Sequence, residues 1–164
     1  MAFRFAGLTQ SSWGTYVRPQ VSLGGDLYPD FLVAVADSGG VHWTLVELES
    51  PRAERVGMAK GQLGESARKG IDQIEGWRDW LTENLAFARD NRGLIGIRPE
   101  SPGMVIVGRR AQGPWPSLFT RRRLFEDRGI VLHSHDWLVE ALEHGAGIAR
   151  PGGPLDWPDW QLRD

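Results

Sequence analysis

Hydrophobic and polar positions change their period several times along this chain. From Asp30 to Ala36 (DFLVAVA) and from Val41 to Glu49 (VHWTLVELE), β-branched, aromatic and aliphatic residues follow one another almost without a break. Such runs predict two strands covered on both faces. The DSGG between them, Asp37 to Gly40, is turn chemistry and predicts a hairpin. The next stretch, Ser50 to Gly64, is polar and contains Gly, which predicts a mobile connection. Ala67, Ile71, Ile74, Leu81, Leu85 and Ala88 then recur at helical spacings, so a helix is expected from about Glu65 to Arg89, with Gly93 at its C-cap. LIGIRP (Leu94 to Pro99) and GMVIVGRR (Gly103 to Arg110) predict two more short strands. A short basic helix is expected in PSLFTRRRLFEDRG, a strand in IVLHS, and a helix stopped by Gly145 in HDWLVEALEHG. Near the N-terminus, WGTYVRPQVSLG predicts one short strand broken at Pro19, and the Pro- and Gly-rich tail from Ile148, with Trp157 and Trp160, predicts irregular structure. Strands and helices in this succession predict a single α/β domain over residues 1–164. Its core, a central mixed β-sheet flanked by helices, is expected at about 27–142.

Composition narrows the picture. A chain of 164 residues suits one domain with a real core. It has no cysteine, which removes disulfides and thiolate metal sites. MAFRFAGLTQSSWG lacks the sustained apolar run of a signal peptide, and no stretch is long and apolar enough to span a bilayer. The expectation is a cytoplasmic protein with no membrane partner. A net charge of −2 argues against indiscriminate nucleic-acid binding, yet it leaves room for a local basic groove. The eight tryptophans are expected in the core and at interfaces.

Charge at the margins of the hairpin is what needs explaining. With an even-numbered turn centred on Ser38 and Gly39, Ala36 faces Val41, Ala34 faces Trp43, and Asp30 stands opposite Glu47. Directly opposed residues share a face, with Cβ atoms roughly 5 Å apart. Glu49, two residues on, falls on that face too. Close carboxylates at the end of covered strands repel and are partly desolvated, and a divalent cation offsets this directly. Oxygen donors of this kind suit Mg²⁺ or Mn²⁺. The plain alternative is a strand margin, with Glu49 paired to Arg52.

These residues also carry a resemblance. Pro29-Asp30, a hairpin, and the Glu47-Leu48-Glu49 triplet resemble the core of PD-(D/E)XK nucleases. QIEGW, Gln73 to Trp77, is similar to the Gln-x-x-x-Tyr element of the RecB-like branch, with Trp in place of Tyr. GMVIVGRR and GIVLHSHDWLVEAL are similar to the second half of the nuclease domain of Shedu anti-phage defence proteins. The resemblance spans Leu27 to Leu142. It implies a restriction-endonuclease-like core and a Mg²⁺- or Mn²⁺-dependent DNA endonuclease acting in anti-phage defence as a homo-oligomer. It further implies that Asp30, Glu47 and the Leu48 carbonyl hold the metal, and that Asp30, Glu47, Glu49 and Gln73 are catalytic. Gln73 would position the water or a phosphate. The family's Glu-x-Lys is Glu-x-Glu here. Glu49 would then be a general base or a third metal ligand, or Lys60 would fold back to supply the ammonium. Alternatively the fold serves as an inactive nucleic-acid-binding or assembly module.

Remaining candidates are basic. Arg109, Arg110 and Lys60 are the expected phosphate-binding residues, with Arg121, Arg122 and Arg123 further on, and Arg52, Arg55, Arg68 and Lys69 flanking the acidic group. HSHD, His133 to Asp136, has the composition of a metal site but reads better as a strand end with Asp136 as helix N-cap. No Walker loop and no His-Glu-x-x-His helix is present.

Overall fold

A computed structural model of the chain describes residues 14–143. Five strands form one sheet in the order of the sequence: β1 (Gly14–Pro19), β2 (Phe31–Asp37), β3 (Gly40–Leu48), β4 (Gly103–Ile106) and β5 (Ile130–His133). The first three pair antiparallel, and β3, β4 and β5 run parallel, so the sheet is mixed. Three helices flank it: α1 (Glu65–Asp90), α2 (Leu118–Arg128) and α3 (His135–Glu143).

The hairpin has the expected register. Ala36 faces Val41, Ala34 faces Trp43 and Phe31 faces Val46. Its turn is held by the Asp37 carboxylate, which accepts from the Gly39 N–H at 2.7 Å. Gly40 takes φ 120°, a conformation that side chains disfavour. Alternation then sends Leu32, Ala34, Trp43 and Leu45 to one face, where they pack with Ile71, Ile74, Trp77 and Leu81 of α1 and Leu124 of α2. Val33 and Val46 go to the other face, with Met104, Ile106 and Trp137 of α3. Leu32, Leu45, Ile74 and Ile106 are fully buried. Each such side chain contributes about 1.5–3 kcal/mol of apolar transfer. The crossovers β3–α1–β4 and β4–α2–β5 step the same way across the sheet, and the shared handedness of such connections puts α1 and α2 on one face.

Two expectations need correction here, the LIGIRP strand and the Gly93 cap. LIGIRP is not a strand. Gly93 and Gly96 take φ 66° and 85° there, which breaks an extended run. Leu94 and Ile97 instead plug the core, and the Ile95 carbonyl accepts from the Trp43 indole at 2.7 Å. The polar 50–64 connection is mostly exposed, with Ala53 and Val56 buried as anchors and Gly57 bridging to Leu63. Finally, α1 is capped by Asn91, with the left-handed Gly93 two residues later. The expected stop at Gly145 and the tail from Ile148 lie outside the described residues.

Candidate functional site

The parallel strands β3, β4 and β5 end at the same edge of the sheet, the place where α/β sheets ordinarily receive ligands. At that edge β3 carries Glu47 and leads into Glu49, on the face covered by α1. Asp30 immediately precedes β2. Continuing the register by one residue from the Phe31–Val46 pair sets it opposite Glu47. The Leu48 N–H donates to Asp30 Oδ2 at 2.8 Å, which fastens the acid to β3.

Glu47 is 5% exposed. Burial first, then the charges of Asp30 and Glu49, push its carboxyl up to about 8, with Lys69 opposing and a hydrogen bond to Asp30 adding to the rise. A buried carboxyl beside another carboxylate keeps its proton because both the loss of water and the like charge disfavour its ionised form, and Lys69 offsets only part of this. Glu49 is 8% exposed and accepts from Lys69 Nζ at 2.9 Å. That hydrogen bond, together with the charge of Glu49, raises the Lys69 ammonium above the ordinary lysine value. Gly70, the next residue of α1, makes this approach possible: a Cβ there would lie 2.6 Å from Val105 Cγ1 and 3.3 Å from Glu49 Cγ.

Of the sequence-predicted residues, the fold brings Asp30, Glu47 and the backbone of Leu48 together, and sets Glu49 close enough for its charge to be felt at Glu47. Gln73 lies one helical turn beyond Lys69, and its Oε1 is buried without a hydrogen-bond partner. The partner of Glu49 is Lys69, not Arg52. Lys60 is at the exposed tip of a 3₁₀ turn (Ala59–Gly61), and the Gly61 carbonyl in that turn accepts from Thr120 of α2. The ammonium beside the acids is therefore that of Lys69. Its spacing of four residues from Gln73, which puts both on one helix face, was the available sequence signal.

Arg109 and Arg110 follow β4 and tie it to α3. Arg109 Nε donates to Asp136 Oδ1 at 3.0 Å, the Arg110 N–H to Asp136 Oδ2 at 2.7 Å, and the Arg110 guanidinium to Glu140. Burial acts to raise the Asp136 carboxyl, but these donors outweigh it and hold it below the usual range. Asp136 is not the N-cap of α3. That place is taken by Ser134, whose Oγ accepts from the Trp137 N–H at 3.2 Å, because the helix starts two residues earlier than an Asp136 cap implies. His133 turns inward and stacks on Trp137 with ring centroids 3.9 Å apart, and burial followed by the charge of Arg121 pushes its imidazole down to about 3.

Among the described residues, no group of three or more His, Asp or Glu side chains is arranged to hold a metal ion. Two carboxylates in contact are nonetheless sufficient for Mg²⁺, which commonly takes one or two and keeps its waters. The buried Glu47 carboxyl, which keeps its proton beside Asp30, and the orphaned Gln73 oxygen fit a cation of that kind, since the ion would take the proton's place. An open groove of about 660 Å³ lies between the Asp26–Tyr28 segment and the Glu65–Trp77 side of α1, with Gln73 and Lys69, the partner of Glu49, in its wall.

No known family model matches this chain, and a search of curated proteins finds no similar sequence.

Proposed function

We propose that the protein is a metal-dependent DNA endonuclease built on a PD-(D/E)XK-like core, of the Shedu type and acting in anti-phage defence. The observation that best supports this reading is the Glu47 carboxyl, buried at a strand end against Asp30 and pushed up to about 8 by that burial and by the charges of Asp30 and Glu49. The sequence resemblance supplies the substrate class and the cellular role.

In this reading Asp30 and Glu47 hold Mg²⁺ or Mn²⁺, with the Leu48 carbonyl as a further donor. The ion, when bound, polarises a phosphoryl oxygen and lowers the pKa of a bound water. The rest falls to the chain itself. Glu49 anchors the Lys69 ammonium at the groove wall, and that ammonium takes the part of the lysine missing from the Glu-x-Glu triplet. Gln73, in the groove wall one turn from Lys69 with an unpartnered amide oxygen, orients the attacking water or a phosphate. The groove admits the strand.

A second reading, a binding or assembly module without activity, draws on two observations. Lys69 already neutralises Glu49, and no three acids converge as ligands among the described residues. Incubation of plasmid DNA with Mg²⁺ separates the two. Nicked or linear product is expected with the native protein and is expected to fall at least 100-fold in Asp30→Ala, Glu47→Ala and Lys69→Met. Intact plasmid with the native protein favours the binding module. Cleavage retained by Glu47→Ala removes the site assignment.

A further inference from the structure

The groove walled by Lys69 and Gln73 has features that a smooth channel for duplex DNA does not need. Its charges are mixed: Arg68 and Lys69 are set against Asp26, Glu65 and Asp72. A wall with more carboxylates than cations is a poor track for a polyphosphate backbone, whose binding is dominated by clustered Lys and Arg. It does suit one nucleotide, which needs a single cationic end for phosphate and a less charged place for its base.

Two residues form that less charged place. Tyr28 lines the groove and is 52% exposed, two positions before Asp30. Gly76 lines it too, in the interior of a 26-residue helix. A glycine there costs about 1 kcal/mol of helix propensity relative to alanine. The glycines at positions 70 and 103 have packing reasons, since a Cβ at either would meet neighbouring side chains at 2.6 and 2.8 Å. A Cβ at Gly76 would meet nothing within 4 Å. The protein's own packing therefore gives no cause for this glycine, whereas a flat ligand lying against the helix backbone does.

We propose that this groove is a subsite for one unpaired nucleobase, which lies between the Tyr28 ring and the bare helix surface at Gly76 while its phosphate reaches Lys69. The proposal rests on the endonuclease reading and deepens it. The preferred substrate is a strand with an unstacked nucleotide next to the bond to be cut, single-stranded or locally opened, rather than continuous duplex. Stacking of a base on an aromatic side chain is tolerant of sequence, so the subsite selects strand structure more than base identity.

Binding tests this apart from cleavage. Fluorescence anisotropy in EDTA would compare a labelled 12-nucleotide oligothymidylate with a duplex of the same length, using native protein, Tyr28→Ala and Gly76→Leu. The native protein is expected to bind the single strand at least tenfold more tightly than the duplex. Both variants are expected to lose most of that preference. Gly76→Leu is expected to melt at or above the native temperature, because leucine favours helix and has open space, so its defect is not one of folding. Equal binding of the two DNAs by the native protein overturns the proposal, as does native-like single-strand binding by both variants. Cleavage of plasmid without a single-strand preference sinks the subsite and leaves the nuclease standing. A groove-dependent preference without any Mg²⁺-dependent cleavage sinks the nuclease and leaves the subsite.

Discussion

At the scale of single residues, Glu47 carries the most information. Its carboxyl sits near 4.5 in an unfolded chain and at about 8 in the fold, chiefly through burial. Between those values the folded state holds a proton that the unfolded state has released. Stability from this group is therefore complete below about pH 4.5 and is lost as pH rises through about 8. Glu47→Gln keeps the shape and removes the charge. In EDTA it is expected to flatten the pH dependence and to exceed the native protein at pH 8.5 by roughly 2–4 kcal/mol. Urea unfolding at pH 6 and pH 8.5 measures this, and parallel curves for the two proteins would refute it. The residue types at this site were legible in the sequence, because Asp30, Glu47 and Glu49 interrupt apolar strands. The ammonium was not legible as belonging to Lys69. Several basic residues follow β3 in sequence, and only the seating of α1 on the sheet selects one.

At the scale of elements, α1 sets the site by lying close on β3 and β4. Gly70 permits that approach, and Glu49, Lys69 and Gln73 depend on it. Gly70→Ala places a methyl group 2.6 Å from Val105 Cγ1, so the helix must lift or the valine must shift. The expected cost is about 1–3 kcal/mol, typical of overpacking, with a larger proportional loss of cleavage than of stability at 25 °C. Thermal melting and plasmid cleavage on one preparation check both parts. The hairpin was readable because its register follows from turn length and alternation. The Leu94–Pro99 stretch was misread for an equally physical reason. Short apolar runs look alike whether they pair in a sheet or plug a core, and the left-handed Gly93 and Gly96 decide the matter.

At the scale of the whole molecule, a mixed sheet covered on both faces brings the ends of three parallel strands together. Arg109 and Arg110 stand at that edge, but Asp136 and Glu140 engage them, so they join β4 to α3. If the acid pair holds a cation, binding couples to folding and displaces the Glu47 proton. Addition of 10 mM MgCl₂ is expected to raise the melting temperature of the native protein, more at pH 8.5 than at pH 6, because the ion competes with a proton. At ten times its dissociation constant an ion stabilises by about 1.4 kcal/mol. Asp30→Ala and Glu47→Ala are expected to show no shift, and an equal shift in all three proteins would place the ion elsewhere. No described helix is long and apolar enough to cross a membrane.

The sequence by itself determined the local choices: the hairpin and its register, the long helix, and three carboxylates placed on one face by alternation. Those follow from periods of 2 and 3.6, which act between near neighbours and need no knowledge of the rest of the chain. Only the tertiary structure decided which partners those charges meet. It gave Lys69 to Glu49, Asp136 to Arg109, and to Glu47 no cation that lowers it to the ordinary carboxylate range. Such pairings depend on distances between segments remote in sequence and on how far each pair is withdrawn from water, and both are set by packing.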